Sequence, residues 1–517
     1  MLHRILFVSG LYLLFNILVH FQVLKRWTLL HSTLSALSAL LLIAGLLVNM
    51  DRMADRYRSG RGRHGGRRLL AGVAIAVILV CLNVLAVRYN GRYDTTPGRY
   101  FSLSTPTVNL LRTLRRPVTL HAFTSGDNVE TLNMLHNFGM GSRWVRWEML
   151  DAEKDPDSAR RLGVERNAVI AVESGERVET VAIRGDGTVD EARLASAVQS
   201  VLEPVRKKAC LTRGHGEKIT LNDNPGVVAA LTDFHYAVED VDLGKTGVVP
   251  PDCRFLLIGG PETAFTPAEV EAVRAYVRRG GALMVLLDPP PGDPFAEILS
   301  DWRIEARTDV VIDPREGEIL LSGAGAIPKG IEMSVIERFP SHPVTQGLRE
   351  LLLFPIARSL SYRGGGNEVE ELSAPLAVLD VPTAWGESDM DDLRSGTFEF
   401  NEGTDFRPPL VLALASRKAP LGPGGPVSRM VVVSSADFLD DRCMNPALSN
   451  AEFFTRCVHW LSGNEWLLYI RPRLQARVGF DLSPRHERLF YYLVMVLLPQ
   501  LPLVAGAACL VRRWKRQ

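Results

Sequence analysis

No surplus of charge marks this chain: 59 Lys and Arg residues meet 58 Asp and Glu residues, a formal net of +1. The basic residues gather beside apolar runs rather than on the polar body, which excludes nucleic acid as a partner. No G-x-x-x-x-G-K-[ST] loop occurs, so the chain carries no phosphate-cradling ATPase motif. Its six cysteines are scattered, without CxxC or Cys/His spacing, and imply no zinc site and no cofactor. Most read as small buried hydrophobes. Cys443 and Cys457 are the one pair open to a disulfide if their domain is exported.

Long apolar runs are present. Residues 5–24, 29–50 and 69–87 and then 489–511 each have about the 20 residues a helix needs to cross the hydrocarbon core. Between the second and third runs, Arg52, Arg56, Arg58, Arg61, Arg63, Arg67 and Arg68 outnumber Asp51 and Asp55. Arg512, Arg513, Lys515 and Arg516 follow the last run. By the positive-inside rule both basic segments are cytoplasmic. The expectation is four transmembrane helices, an anchor over 1–87, an exported body over 88–470, a linker over 471–488 and a basic cytoplasmic tail over 512–517. The setting is a bacterial inner membrane, with the large domain on the periplasmic or extracellular side.

The body opens with a helix that Ser104 caps and Pro106 starts. Strand, helix, strand, short helix, a hairpin at Ser174-Gly175 and a helix over 190–203 follow, a thioredoxin-like order for 88–205. No cysteine pair follows the first strand, where Thr124-Ser125-Gly126 stand, so redox chemistry is not expected there. The chain is organised around Lys208 to Asp288. Strands alternate there with helices, the pattern of a parallel sheet covered on both faces, and the α/β domain extends over 206–470. Beyond Pro291 the pattern blurs, and residues 361–366 and 386–405 read as polar or mobile loops.

In an open α/β sheet, ligands bind outside the carboxyl ends of the strands. Three loops converge there: Gly214-His215-Gly216-Glu217, Gly259-Gly260-Pro261-Glu262, and the segment from Asp288 to Pro291. A histidine beside a carboxylate suits acid–base or metal chemistry, while the glycines equally suit a tight turn with local pairing. The place of a nucleophile after the fourth strand holds Asp288-Pro289-Pro290-Pro291, which offers no Ser or Cys. Asp437, Asp440, Asp441 and Asn445 form an acidic loop, open to a cation or to water.

RYFSLSTPTVNLLRTLRRPVTLHAF, LTRGHGE, LLIGGPETAFTPAEVEAVRAYVRRGGALMVLLDP and SSADFLDDRCMNPALSNAEFFTRCVHWLSGNE together resemble the GldG-like, gliding-motility-type auxiliary components of uncharacterised ABC transport systems. The resemblance covers Arg88 to Val511 and is patchy over 292–426. It implies a flavodoxin-like or class I glutamine-amidotransferase-like central domain without the catalytic cysteine. It further implies a non-catalytic subunit working with an ABC permease and an ATP-binding subunit, its exported domains binding a periplasmic ligand or envelope protein. Three N-terminal runs depart from the family's pattern. Two alternatives stand beside this reading: an exported hydrolase or metal-dependent enzyme at Gly214–Glu217, and an envelope scaffold with no ATPase partner.

Overall fold

The computed structural model divides into two compact units, Met1–Thr95 and Thr96–Gln517. It describes residue 40 and residues 102–470, apart from 127, 204, 290–291, 293, 316–317, 322–324, 363–370, 397, 419–424 and 446. The anchor, the linker, the tail and the four segments expected to span a membrane lie outside the described residues, save Leu40. Among the described residues no helix is long and apolar enough to cross a membrane. The longest, Val129–Gly141, has 13 residues, against roughly 20 for a span. The expected class of an α/β body with four transmembrane helices is therefore corrected to a mixed α/β fold with several sheets.

Helix α1 (Thr105–Thr113) is capped by Ser104, whose side chain accepts from the Thr107 N–H. Then come β1 (Val118–Phe123), α2 (Val129–Gly141), β2 (Val145–Leu150), α3 (Pro156–Arg161), β3 (Val169–Ser174), β4 (Arg177–Ala182) and α4 (Glu191–Leu202). The four strands form one sheet in the order β2-β1-β3-β4, with β1 and β2 parallel and the other pairs antiparallel. Alternation sends Val118, Leu120 and Ala122 to the face covered by α1, α2 and α4. Phe123 and Ala171 face Ala159 and Leu162, at and just beyond α3. On the same sheet His121 of β1 lies between Glu148 of β2 at 2.6 Å and Glu173 of β3 at 2.8 Å, a contact set by register.

The second sheet is built by β5 (Lys208–Thr212), α5 (Pro225–Thr232), β6 (Ala237–Val241), α6 (Leu243–Thr246), β7 (Cys253–Gly259), α7 (Pro267–Arg278) and β8 (Ala282–Leu286). The chain goes on through α8 (Ala296–Asp301), β9 (Ile304–Ala306), β10 (Val310–Ile312), β11 (Glu318–Leu321), β12 (Gly325–Pro328), β13 (Met333–Ile336), β14 (Leu352–Pro355), β15 (Leu360–Tyr362) and β16 (Glu371–Leu379). It ends with β17 (Trp385–Glu387), α9 (Met390–Ser395), β18 (Leu410–Lys418), β19 (Ser428–Val433) and α10 (Asn450–Leu461). The strand order is β6-β5-β7-β8-β19-β18-β15-β9, with β16 also on β18. From β6 to β19 the strands are parallel, and from β18 onward they are antiparallel.

Strands β5, β7, β8 and β19 are near-continuous apolar runs because both faces are covered, whereas β6, at the sheet edge, carries Glu239 and Asp240. Leu211, Leu257, Met284, Leu286 and Val431 pack under α5 and α10. Leu256, Ile258, Leu283, Val285 and Val432 pack under α6, α7 and α8. Each such side chain contributes about 1.5–3 kcal/mol on burial.

Two expectations change here. The disulfide joins Cys210 of β5 to Cys253 of β7, whose Cα atoms lie 5.8 Å apart on neighbouring strands. Cys443 and Cys457 are free and buried. Each packs in a different apolar cluster, and burial pushes the Cys443 thiol up to about 12. Residues 386–405 are not simply a polar loop. β17 pairs with β10, Gly386 bridges Phe406, and Asp405 accepts from the N–H groups of Ser388 and Asn401.

Candidate functional site at the strand ends

The turn after β5 carries Gly214 and Gly216, both with positive φ (118° and 75°). Between them, His215 stacks flat on Phe265 at 4.0 Å between ring centroids. Its Nε2 lies 3.3 Å from Glu269 and its Nδ1 3.6 Å from Glu217. The Glu217 carboxylate accepts from the backbone N–H of His215, and the His215 carbonyl accepts from the N–H groups of Glu262 and Thr263. Glu269 also closes the capping box of α7 with Thr266. Although burial works against its ionisation, the Thr266 hydrogen bonds and the His215 imidazole hold Glu269 below the ordinary carboxylate range.

His215 and Glu217 thus join the β5 turn to the loop after β7 and to the start of α7. Their polar atoms point into the protein. Among the described residues no group of three or more His, Cys, Asp or Glu side chains is placed to hold a metal ion.

A second cluster lies beside this turn. Lys218 places its Nζ 3.1 Å from Asp288, after β8, and 3.3 Å from Asp437, after β19. Gly260, at the end of β7, lies against both segments: a Cβ there would stand 2.6 Å from the Ala436 Cβ and 3.0 Å from Asp288 Oδ1. With φ at +61°, the position suits glycine on both counts. Gly259 lies under Ile219, whose N–H bonds the Gly259 carbonyl. Just after β19 the Ser434 hydroxyl is buried without a hydrogen-bond partner.

One ammonium serves two carboxylates here. Burial works to lower the pKa of Lys218, but Asp288 and Asp437 outweigh it and raise it. Burial raises the Asp288 carboxyl, with Asp437 and Glu262 adding to the effect and Lys218 opposing it. With Glu262 close by, three carboxylates surround one ammonium at these strand ends.

The structure therefore brings His215, Glu217, Gly259, Gly260 and Asp288 to one end of the parallel sheet, yet divides them between two clusters. Lys218 was not singled out in the sequence, although it follows Glu217 directly. Its partners lie 70 and 219 positions away, and only the sheet brings them together. Asp437, read with an acidic loop, separates from it: Asp440 pairs with Arg442, while Asn445 accepts from the Ala447 N–H.

A parallel sheet with loops converging at its carboxyl ends defines an α/β protein of the kind that holds ligands at the strand ends. Residues 206–468, slightly over half of the chain, match the model for auxiliary components described as "ABC-type uncharacterized transport system", and the chain belongs to that family. Membership gives it an auxiliary role in a transport system, in association with transporter subunits and with a membrane. Residues 98–186 match a domain of unknown function (DUF7088). No curated protein matches the chain.

Among solved structures, the mmIFT52 N-terminal domain is similar at 13% identity, with 49% of this chain and 97% of that one covered and a TM-score of 0.37. A putative thua-like protein from Parabacteroides merdae has 14% identity, coverages of 50% and 90%, and a TM-score of 0.28. The NTD_N/C domain of alkylhydroperoxide reductase AhpF from Enterococcus faecalis has 14% identity, coverages of 29% and 81%, and a TM-score of 0.16. All three scores are too low to establish a shared fold.

Proposed function

We propose that this chain is a non-catalytic auxiliary subunit of a gliding-motility-type ABC transport system. Its α/β body works on the periplasmic or extracellular side of the bacterial inner membrane and binds a substrate or envelope protein for an ABC permease and a separate ATP-binding subunit. The observation that carries the reading is the Lys218–Asp288–Asp437 cluster, seated where four parallel strands end, in a chain of this family. The surplus carboxylate makes these strand ends a receptor for donor groups. The Cys210–Cys253 disulfide supports an oxidising compartment. Ligand binding alters coupling to the transporter only through states the ligand binds differently, and loops at strand ends are the parts freest to differ.

The test is gentle extraction of the intact chain and mass spectrometry of what accompanies it. A permease and an ATP-binding-cassette protein in stoichiometric amounts are expected, with at least a tenfold loss of a ligand-dependent change in that association in Asp288→Asn and Lys218→Met. A chain that purifies alone, or variants that behave as wild type, would overturn the reading. The alternative of chemistry at His215 and Glu217 rests on His215 Nδ1 and Glu217 Oε1, both buried without a hydrogen-bond partner, and a chain that purifies alone would favour it.

A further inference from the structure

A separate cavity of about 560 Å³ opens between the helical cover of the first sheet and that of the second. Its walls come from α4 and the loop before it, from α5, from α10, and from the segments around Met444–Ser449 and Leu467–Ile470. Cavities of a few hundred Å³ at the junction of two packed bodies are the usual size and place for small-molecule sites. Phe234, Met444, Leu448 and Leu467 give it an apolar floor.

The charges around it are unevenly engaged. Arg184 pairs with Asp190 at 3.2 Å, and Arg193 with Asp233 at 2.8 Å. Arg456 gives its guanidinium to backbone carbonyls: Nε to Val344 at 2.6 Å, and Nη2 to Pro343 at 3.2 Å, to Leu468 at 3.3 Å and to Gln346. These cations are committed. Glu452, its side chain 39% exposed, accepts one long hydrogen bond from Arg456 Nη1 at 3.5 Å. Burial raises the pKa of its carboxyl, and Asp190 adds to that while Arg456 and Arg349 oppose it. Glu350 adds another carboxylate to the lining.

Glu452, Arg456 and His459 stand at i, i+4 and i+7 on α10, one face of the helix. His459 also lines the cavity, is 4% exposed, and has an Nδ1 without a hydrogen-bond partner. Burial holds the imidazole neutral, with its pKa lowered to about 3. A neutral ring whose Nδ1 is bare of hydrogen offers an acceptor there.

We propose that this cavity is a binding site for a small amphipathic organic cation, an amine or guanidine with an apolar body. The cationic head pairs with Glu452 and donates toward His459, and the body lies against Phe234, Met444 and Leu448. A cation there supplies what the committed arginines do not, and a carboxylate ligand meets like charge. Because the site is bounded by elements of both sheets, its occupant also ties them together. The inference is independent of the strand-end cluster and of any transporter partner.

The experiment is calorimetric titration of the purified full chain with benzylammonium and with phenylguanidinium, against benzyl alcohol and benzoate. Saturable binding of at least one cation is expected, with benzoate and benzyl alcohol at least tenfold weaker. Glu452→Gln, nearly isosteric, should weaken the cation about tenfold. Ala229→Phe, at an exposed position of α5 on the cavity wall, should abolish binding without unfolding the chain. The proposal falls if neither cation binds, if the neutral or anionic probe binds equally well, or if both variants bind as wild type.

Discussion

The parallel half of the large sheet and the region around its antiparallel half, with the β10–β17 pair, solve the same problem in opposite ways. From β6 to β19 the strands are parallel; β5, β7, β8 and β19 are largely apolar on both faces, with the Lys218–Asp288–Asp437 cluster at the strand ends, while the edge strand β6 carries Glu239 and Asp240. From β18 to β9 the strands are antiparallel, and polar groups are buried in the segments beside them and in the separate β10–β17 pair. Arg358, 1% exposed, donates to the carbonyls of Arg307 (2.7 Å), Gly292 (2.9 Å) and Ala306 (3.2 Å). Asp309 accepts from the backbone and hydroxyl of Ser359 at 2.9 and 2.6 Å. Glu387 accepts from the Trp385 indole and the Asp389 N–H. Non-directional burial holds the first half, while the second depends on particular donors meeting particular acceptors.

Substitution should separate them most sharply. Arg358→Ala leaves buried carbonyls without donors and should cost about 4 kcal/mol; Leu257→Ala, in the middle of β7, should cost about 3 kcal/mol through the cavity it leaves. The conservative changes decide the matter. Leu257→Met should cost under about 1.5 kcal/mol, whereas Arg358→Lys should recover little, since an ammonium cannot reproduce the planar fork. Denaturant midpoints that rank the two conservative changes equally would break the comparison.

Close packing gives the next effect. A Cβ on Gly386 would stand 2.0 Å from Asp309 Oδ2, so Gly386→Ala must push β17 off a buried carboxylate. We expect a loss of about 1–3 kcal/mol, read as a fall in melting temperature. A neutral result would mean that the β10–β17 pair is not held as tightly as its buried groups require.

Acid should act on the two regions with opposite sign. His459, under the parallel half, has its folded pKa lowered to about 3, so the unfolded chain binds the extra proton as pH falls below about 6.5. Stability from this group is full above that pH and is lost on acidification, by at most about 1.4 kcal/mol per pH unit. Asp309 and Glu387 are raised, in each case chiefly by burial. The folded chain takes up their protons first, and acidification through that window favours folding. His459→Leu should flatten the acid limb of a melting-temperature profile between pH 6.5 and 4, and Asp309→Asn should not. An unchanged limb in His459→Leu would place the proton uptake elsewhere.

Elements whose signals are local were legible. The cap at Ser104, the hairpin at Ser174-Gly175, the alternation through β5 to β8 and the amphipathic face of α10 all lie in windows of a few residues, and the helices and strands stand within a few positions of where periodicity puts them. The antiparallel half and the β10–β17 pair were less legible because short strands such as β9, β15 and β17 are set by partners far along the chain rather than by their own pattern. The site was half readable. Glycine turns and the missing nucleophile after β8 are sequence features, but the cation that organises Asp288 and Asp437 is not.

Composition and periodicity alone were enough for the alternation of strand and helix, the apolar runs of the parallel strands and the absence of an ATPase loop, since each depends on neighbours in the chain. Tertiary structure alone decided that Cys210 pairs with Cys253, that Lys218 joins two distant aspartates, and that Glu452 faces a cavity beside His459. The physical reason is the same in all three. Each contact links positions that only the packing of sheets and helices brings within bonding distance, and hydrogen bonds, ion pairs and disulfides act only at that range.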